Sequence, residues 1–215
     1  MKAYLSKLRK DYSLMGLDEK NMAADPFRQF EEWLVDVANA GLPEPNAMVL
    51  STVDAKSRPH SRVVLLRNVD DVGFVFYTNY DSEKGRQLEA NPHAALNFFW
   101  VGLERQVRIE GMVQKIALTE SNEYFQSRPR GSQISSWASP QSQVIADRAQ
   151  LENKVKELEA EFKNKELIER PPFWGGYRLV PTMIEFWQGR PNRMHDRIRY
   201  SLQEDKVWKI ERLAP

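Results

Sequence analysis

The chain has no cysteine, no long apolar run and almost no net charge. The first absence rules out disulfides, thiolate metal sites, iron–sulfur clusters and a cysteine nucleophile. The second leaves nothing near the ~20 apolar residues that span a bilayer, and the opening "MKAYLSKLRKDYSLMGL" lacks the apolar core of a signal peptide. A cytoplasmic protein with no membrane partner is expected. With 31 Lys and Arg against 30 Asp and Glu the net charge is +1, unlike the strong basic excess of proteins that coat nucleic acid. Basic residues that are clustered locally but balanced overall favour a small anionic ligand. Phosphate-loop motifs are missing too, with neither GxGxxG nor GxxxxGKS/T present. His60, His93 and His195 are the only histidines and lack HExxH spacing, so no metal is expected.

What is present reads as one α+β domain. Its 215 residues can bury a proper core, and 41% apolar with 28% charged residues is an ordinary globular balance. Residues 1–24 are polar and mixed, an arm predicted to be mobile until something binds it. In "DPFRQFEEWLVDVANAG", Asp25 can cap, Pro26 suits the first helical turn, Phe27, Phe30, Trp33, Leu34 and Val37 form a stripe, and Gly41 ends the helix. Strand-like pieces follow at 47–53, 61–66, 73–78, 94–100 and 105–116, with a helix predicted in "SEKGRQLEANP". Helical material returns in "TESNEYFQSR" and in "QVIADRAQLENKVKELEAEFKN", whose charges suit a solvated face. "YRLVP", "MIEFWQG" and "KVWKIERL" are further strand-like pieces. Short strands with tight turns suggest a mostly antiparallel barrel.

The residues able to do chemistry are basic and hydroxyl-bearing and sit at strand ends and loops. Arg62 and Arg67 bracket "VVLL", a spacing that puts them on opposite faces of a continuous strand. Taken singly, each reads as an exposed strand-end charge. Tyr77 and Thr78 end the next strand, and Lys84 falls in the first turn of a helix whose free N–H groups can receive a phosphate. Arg128, Arg130 and Ser132 lie in "SRPRGSQ", read either as an anion-binding loop or as a plain interhelical turn. In "RPNRMHDRIRY", alternation along an extended chain puts Arg193, His195 and Arg197 on one face. Flanking guanidiniums would disfavour the imidazolium of His195. The alternative is an edge strand that uses charge against aggregation.

Taken in order, "RVVLLR" (62–67), "FYTNYDSEKGRQLEANP" (76–92), "ERQVRIEG" (104–111), "YFQSRPRGSQI" (124–134), "FWGGYR" (173–178), "IEFWQG" (184–189), "RMHDR" (193–197) and the terminal "RLAP" resemble the pyridoxine/pyridoxamine 5′-phosphate oxidase family. The resemblance runs from about residue 7 to the C-terminus. It implies an FMN-binding split barrel over 25–215, a homodimer with flavin at the subunit interface. The implied reaction oxidises pyridoxine or pyridoxamine 5′-phosphate to pyridoxal 5′-phosphate with O2, by hydride transfer from C4′ to flavin N5. By motif, Arg62, Val63, Val64, Leu65, Leu66, Arg67, Tyr77, Thr78 and Lys84 would line FMN, with Arg62 and Lys84 at its phosphate. Gln106, Gln141, Ser142, Trp187 and Arg197 would complete the flavin environment. Arg67, Tyr124, Arg128 and Ser132 would grip the substrate phosphate. Arg193 and His195 would hold the pyridine ring and the reacting substituent, with orientation ranked above base catalysis. Arg9 and Tyr12 match the family segment that closes over substrate.

Three positions depart from the family pattern. Arg67 stands where many members have Lys, Glu83 where a basic residue commonly faces the FMN phosphate, and Ser135 where Gly is usual. Other readings are a split-barrel flavin oxidase for another substrate, such as a phenazine precursor, and a flavin- or pyridoxal-phosphate-binding module without turnover. The set Tyr124, Arg128, Ser132, Arg193 and His195 argues against the first.

Overall fold

The computed structural model describes residues 12–215. Nine strands form one antiparallel sheet: β1 (Ala47–Val53), β2 (Pro59–Leu65), β3 (Asn68–Val69), β4 (Phe74–Asn79), β5 (His93–Trp100), β6 (Arg105–Lys115), β7 (Trp174–Gln188), β8 (Asp196–Leu202) and β9 (Trp208–Arg212). The helices are α1 (Pro26–Asn39), α2 (Glu83–Ala90), α3 (Leu118–Ser127), α4 (Arg130–Ala138) and α5 (Arg148–Phe162). The order β2-β1-β5-β6-β7-β4-β3 branches at β7, which also pairs β8, and β8 pairs β9. The 15-residue β7 runs beside β6, offering its first half to β4 and its second half to β8. This branching closes the α+β split barrel that the sequence leads one to expect.

Local sequence accounts for these elements. In α1 the Asp25 side chain accepts from the Phe27 amide and Pro26 occupies the first turn, where no N–H is needed. Its stripe plugs the barrel: Phe30 sits 5.0 Å from both Phe74 and Phe98, and Trp33 5.1 Å from Phe186. Each such aromatic contributes roughly 2–3 kcal/mol through burial. A second apolar cluster joins α3, α4 and α5 to Trp174 through Phe125, Ile134, Leu158 and Phe162. It fixes the helical layer over the first residues of β7. Only Leu158 and Phe162 of α5 are buried, so its charged run is a solvated face.

Three sequence readings need correcting. "YRLVP" and "MIEFWQG" are one strand, not two, because a bulge absorbs the proline between them. The register passes from Glu110↔Met183 to Gly111↔Pro181, leaving Thr182 as the extra residue, so Pro181 sits where the ladder is already interrupted. The stretch after Arg128 is helix α4, not loop, so Ser132 lies in a first helical turn. Arg193 is not on an extended chain with His195. Pro191–Arg193 is a 3-10 turn, with Asn192 and Arg193 in the left-handed region at φ 55° and 61°, and β8 starts only at Asp196. Proline fixes the turn and interrupts the alternation on which that reading relied.

Candidate active site

Three groups of the expected residues are assembled by the fold. The first lies where β2, β4 and α2 meet. Ser82 caps α2 by accepting from the Gly85 amide, which sets Lys84 in the first turn. Lys84 Nζ donates to Gln141 Oε1 at 2.9 Å, to Thr78 Oγ1 at 3.3 Å and to Ser82 Oγ at 3.4 Å. Arg62, on β2, donates to Thr52 Oγ1 at 2.5 Å, to Gln87 Oε1 at 3.0 Å and to the Leu50 carbonyl at 3.3 Å. Burial lowers the pKa of both cations; the Arg62 charge lowers Lys84 further, while the nearby Glu83 carboxylate opposes the shift in each. Among the described residues neither cation has a carboxylate within ion-pair distance.

The second group adjoins the start of β7. Tyr77 stacks on Tyr124 with centroids 3.8 Å apart and on Trp174 at 5.4 Å. Burial, reinforced by Glu120, pushes the Tyr77 phenol up to about 12, so it is a neutral donor across the physiological range. Arg128 lies 4.6 Å over the Trp174 ring and donates to Ser136 Oγ at 2.6 Å. Its pKa is lowered first by burial; Tyr124 counters this and Arg67 adds to it. Ser132 joins through its carbonyl, which accepts from Ser136 Oγ. Gly175 and Gly176 permit this packing, since a Cβ on them would strike the Tyr80 hydroxyl and Ile116 respectively.

The third group sits at the other end of β7. Gln106, Trp187 and Arg197 are direct cross-strand partners on β6, β7 and β8 and so share a face. Tyr12 meets Trp187 and His195 edge-on, each at 5.8 Å, and His195 lies 4.6 Å from Trp187. The Arg190 amide donates to His195 Nδ1 at 3.1 Å, leaving Nε2 as the outward ring nitrogen. Arg197 forks onto Glu185 at 2.7 and 3.1 Å, and its remaining nitrogen donates to the Ala214 carbonyl. That carboxylate raises the Arg197 pKa. Tyr12 is held in place because Glu104 accepts from the Ser13 and Leu14 amides.

Several expected residues play narrower parts. Leu66 is buried in the core, and its amide and carbonyl are both engaged by Asn46, so neither its side chain nor its backbone polar groups are free. Arg67 lies beyond the end of β2, so the opposite-face argument for Arg62 and Arg67 does not apply. Val63 is exposed, Val64 and Leu65 are half-buried, and Ser142 is an exposed residue at φ 70° beside Gln141. Arg9 lies outside the described residues. Thr52, Gln87 and Glu185 are contributors that sequence reasoning did not single out. Thr52 had a readable signal as the polar exception among the inward β1 positions Met48 and Leu50. Gln87 had one too, four residues after Glu83 on a helix.

Comparison with known proteins gives this geometry a family. Residues 34–162 match the model described as pyridoxamine 5′-phosphate oxidase. Residues 174–215 match the C-terminal dimerisation region of pyridoxine 5′-phosphate oxidase. The pyridoxine/pyridoxamine 5′-phosphate oxidase of Paraburkholderia phytofirmans is 53% identical over 212 residues, 98% of this chain and 99% of the relative. That of Synechocystis sp. is 54% identical over 211 residues, 98% of each chain. Among solved structures, PhzG from Burkholderia lata 383, in complex with tetrahydrophenazine-1-carboxylic acid, superposes with TM-score 0.88 at 30% identity, covering 96% of this chain and 100% of that one. A pyridoxamine 5′-phosphate oxidase-related, FMN-binding protein from Nostoc punctiforme shares the fold, with TM-score 0.72 at 20% identity over 90% of this chain and 100% of that one. With both family regions present in order and relatives matching from end to end, the chain belongs to the pyridoxine/pyridoxamine 5′-phosphate oxidase family and is an oxidoreductase.

Proposed function

We propose that the protein oxidises pyridoxine 5′-phosphate or pyridoxamine 5′-phosphate to pyridoxal 5′-phosphate, as a homodimer with FMN between its subunits. The observation that carries this reading is the presence of two cation sets without carboxylate partners among the described residues, Arg62 with Lys84 and Arg67 with Arg128. Arg62, Lys84 and Arg128 are partly desolvated, and unpaired cations ask for an anion. Two such sets suit a reaction in which cofactor and substrate each carry a phosphate monoester. Gln141 and Thr78 beside Lys84 add neutral polar groups of the kind that complete a phosphate shell.

The chemistry supplied by bound FMN is the two-electron oxidation of substrate C4′ by hydride transfer to N5, with O2 as final acceptor and H2O2 as product; the amine substrate also yields ammonia. The chain's own work is binding and orientation. Arg67, Tyr124, Arg128 and Ser132 hold the substrate phosphate, a handle remote from the reacting carbon whose binding energy orients C4′. Arg193 and His195 hold the ring and its 4′ substituent, with His195 kept in plane by the Arg190 amide and Trp187. Tyr12, against His195, closes over the substrate as the inner contact.

Dimerisation follows from the distribution of these residues. Tyr77 pairs with Gly176 and Trp187 with Arg197, so the phosphate-binding and ring-holding groups lie eleven residues apart on β7, roughly 36 Å along a fully extended strand. A second copy supplies the missing half of each site, in keeping with the dimerisation region at 174–215.

Similarity to PhzG makes oxidation of a different, phosphate-free substrate the second reading. One experiment separates the two. FMN-loaded protein without oxygen should bleach with pyridoxine 5′-phosphate or pyridoxamine 5′-phosphate, and far more slowly with their unphosphorylated forms. Protein that cannot be loaded with FMN, or bleaching indifferent to the phosphate, would refute the proposal.

A further inference from the structure

A carboxylate at position 83, beside a cradle of cations for a phosphate, looks like a defect. Its contacts give it a different role. Glu83 Oε1 accepts from Gln87 Nε2 at 3.2 Å and lies 3.4 Å from His60 Nδ1. Gln87 is buried, and at its other end Oε1 accepts from Thr52 Oγ1 at 2.6 Å and from Arg62 at 3.0 Å. Thr52 in turn accepts from the other terminal nitrogen of Arg62. A guanidinium has only donors and a carboxylate only acceptors, so a carboxamide between them has one workable orientation, with nitrogen toward Glu83 and oxygen toward Arg62. Turned over, it would point N–H groups at N–H groups.

We infer that Glu83 is a positioning residue for the cofactor phosphate, acting through Gln87 to hold the Arg62 guanidinium in the cradle. The inference rests on the FMN reading above. Two effects of the carboxylate compete: direct repulsion of a phosphate, and preorganisation of Arg62. The Glu83 side chain is 54% exposed, so water and salt screen its repulsion. Gln87 and Thr52 are buried, where a mispaired donor is not screened. Preorganisation therefore wins. Glu83 also opposes the lowering that burial imposes on the pKa of Arg62 and Lys84.

The two effects predict opposite signs. Flavin-free protein is titrated with FMN and with riboflavin, following quenching of flavin fluorescence. Glu83→Ala should weaken FMN binding about tenfold, as expected for one lost charge-linked hydrogen bond, and riboflavin binding by less than about twofold. Glu83→Gln keeps an oxygen that can accept from Gln87 and should restore FMN affinity to within about threefold. Unchanged or tighter FMN binding in Glu83→Ala overturns the inference, as does equal weakening of both flavins. A second readout needs no flavin: the side-chain NH2 of Gln87 should exchange with solvent faster in Glu83→Ala, and unchanged protection overturns the link. A parent protein that fails to bind FMN refutes the cofactor reading, and the Gln87 measurement then decides this one.

Discussion

The candidate site treats its cations in opposite ways at the two ends of β7. Near Gly176 the cations Arg62, Lys84 and Arg128 are held by neutral oxygens or aromatic faces, Arg67 is exposed beside them, and burial lowers the pKa of Arg62, Lys84 and Arg128. Near Trp187, Arg197 is forked onto the buried Glu185, which also takes Arg108 at 3.1 Å. The first end stores unmet demand for an anion, whereas at the second the charge of Arg197 is already neutralised. An arginine's role is therefore read from its partner and not from its presence: unpaired it recruits a ligand, paired it fixes a surface on which a ligand can lie.

The largest effect should come from breaking the paired end. Glu185→Ala leaves Arg197 without its carboxylate and Arg108 with Glu110 alone, at a cost of about 3 kcal/mol in folding stability and roughly 6–12 °C in melting temperature. A loss under about 1 kcal/mol would mean that the pairing does not organise this end. The unpaired end should respond the other way. Arg62→Ala with Lys84→Ala should lower FMN affinity by at least about a hundredfold, measured by flavin retention, as two charge-assisted bonds disappear. The flavin-free variant should lose less stability than Glu185→Ala does, because hydrogen bonds to neutral oxygens are lost but no ion pair is. A marked stability loss would show that these cations are structural.

A smaller effect, split between two readouts, is expected at the turn. Arg193→Gly relieves a left-handed backbone and should raise stability by up to about 1 kcal/mol. It should also lower kcat/KM for pyridoxine 5′-phosphate by roughly tenfold or more, with FMN retained. Loss of FMN with normal turnover per bound flavin would remove Arg193 from the substrate. The smallest effect is on pH. Arg212 holds the Glu19 carboxyl down to about 2 from 4.5, so its contribution is complete above pH 4.5 and is lost as pH falls toward 2. The protection factor of the Leu17 amide, which donates to the Asp196 carboxylate that also takes Arg212, should fall across that window, and Arg212→Gln should move the fall to higher pH.

Most of the fold could be read from periodicity. β1 was legible at 47–53 as a short apolar, β-branched run that stops at the turn-like "DAKS", and α1 because Asp25 and Pro26 punctuate it. What failed were places where one local rule met a non-local one. Pro181 looks like a strand terminator until the bulge opposite Gly111 is known. Pro129 and Gly131 look like a loop, yet Pro129 caps α4, whose face is fixed by burial of Ile134 against the α5 cluster. The candidate site residues come from family motifs, but their state of pairing was not legible. Nothing near Arg197 in sequence announces Glu185, twelve residues away on a neighbouring strand, and Arg128 finds Trp174 only in three dimensions.

The bulge at Thr182 lies on β7 between the two halves of the site. Strand pairing has a period of two, so adding or removing one residue there would turn one set of side chains inside out relative to the other. On the proposed reading of the site, β7 thus acts as a fixed gauge between phosphate recognition and ring recognition. Substitutions can tune either end separately, but a single-residue insertion or deletion between Gly176 and Trp187 changes both at once, and no point substitution can restore the phase.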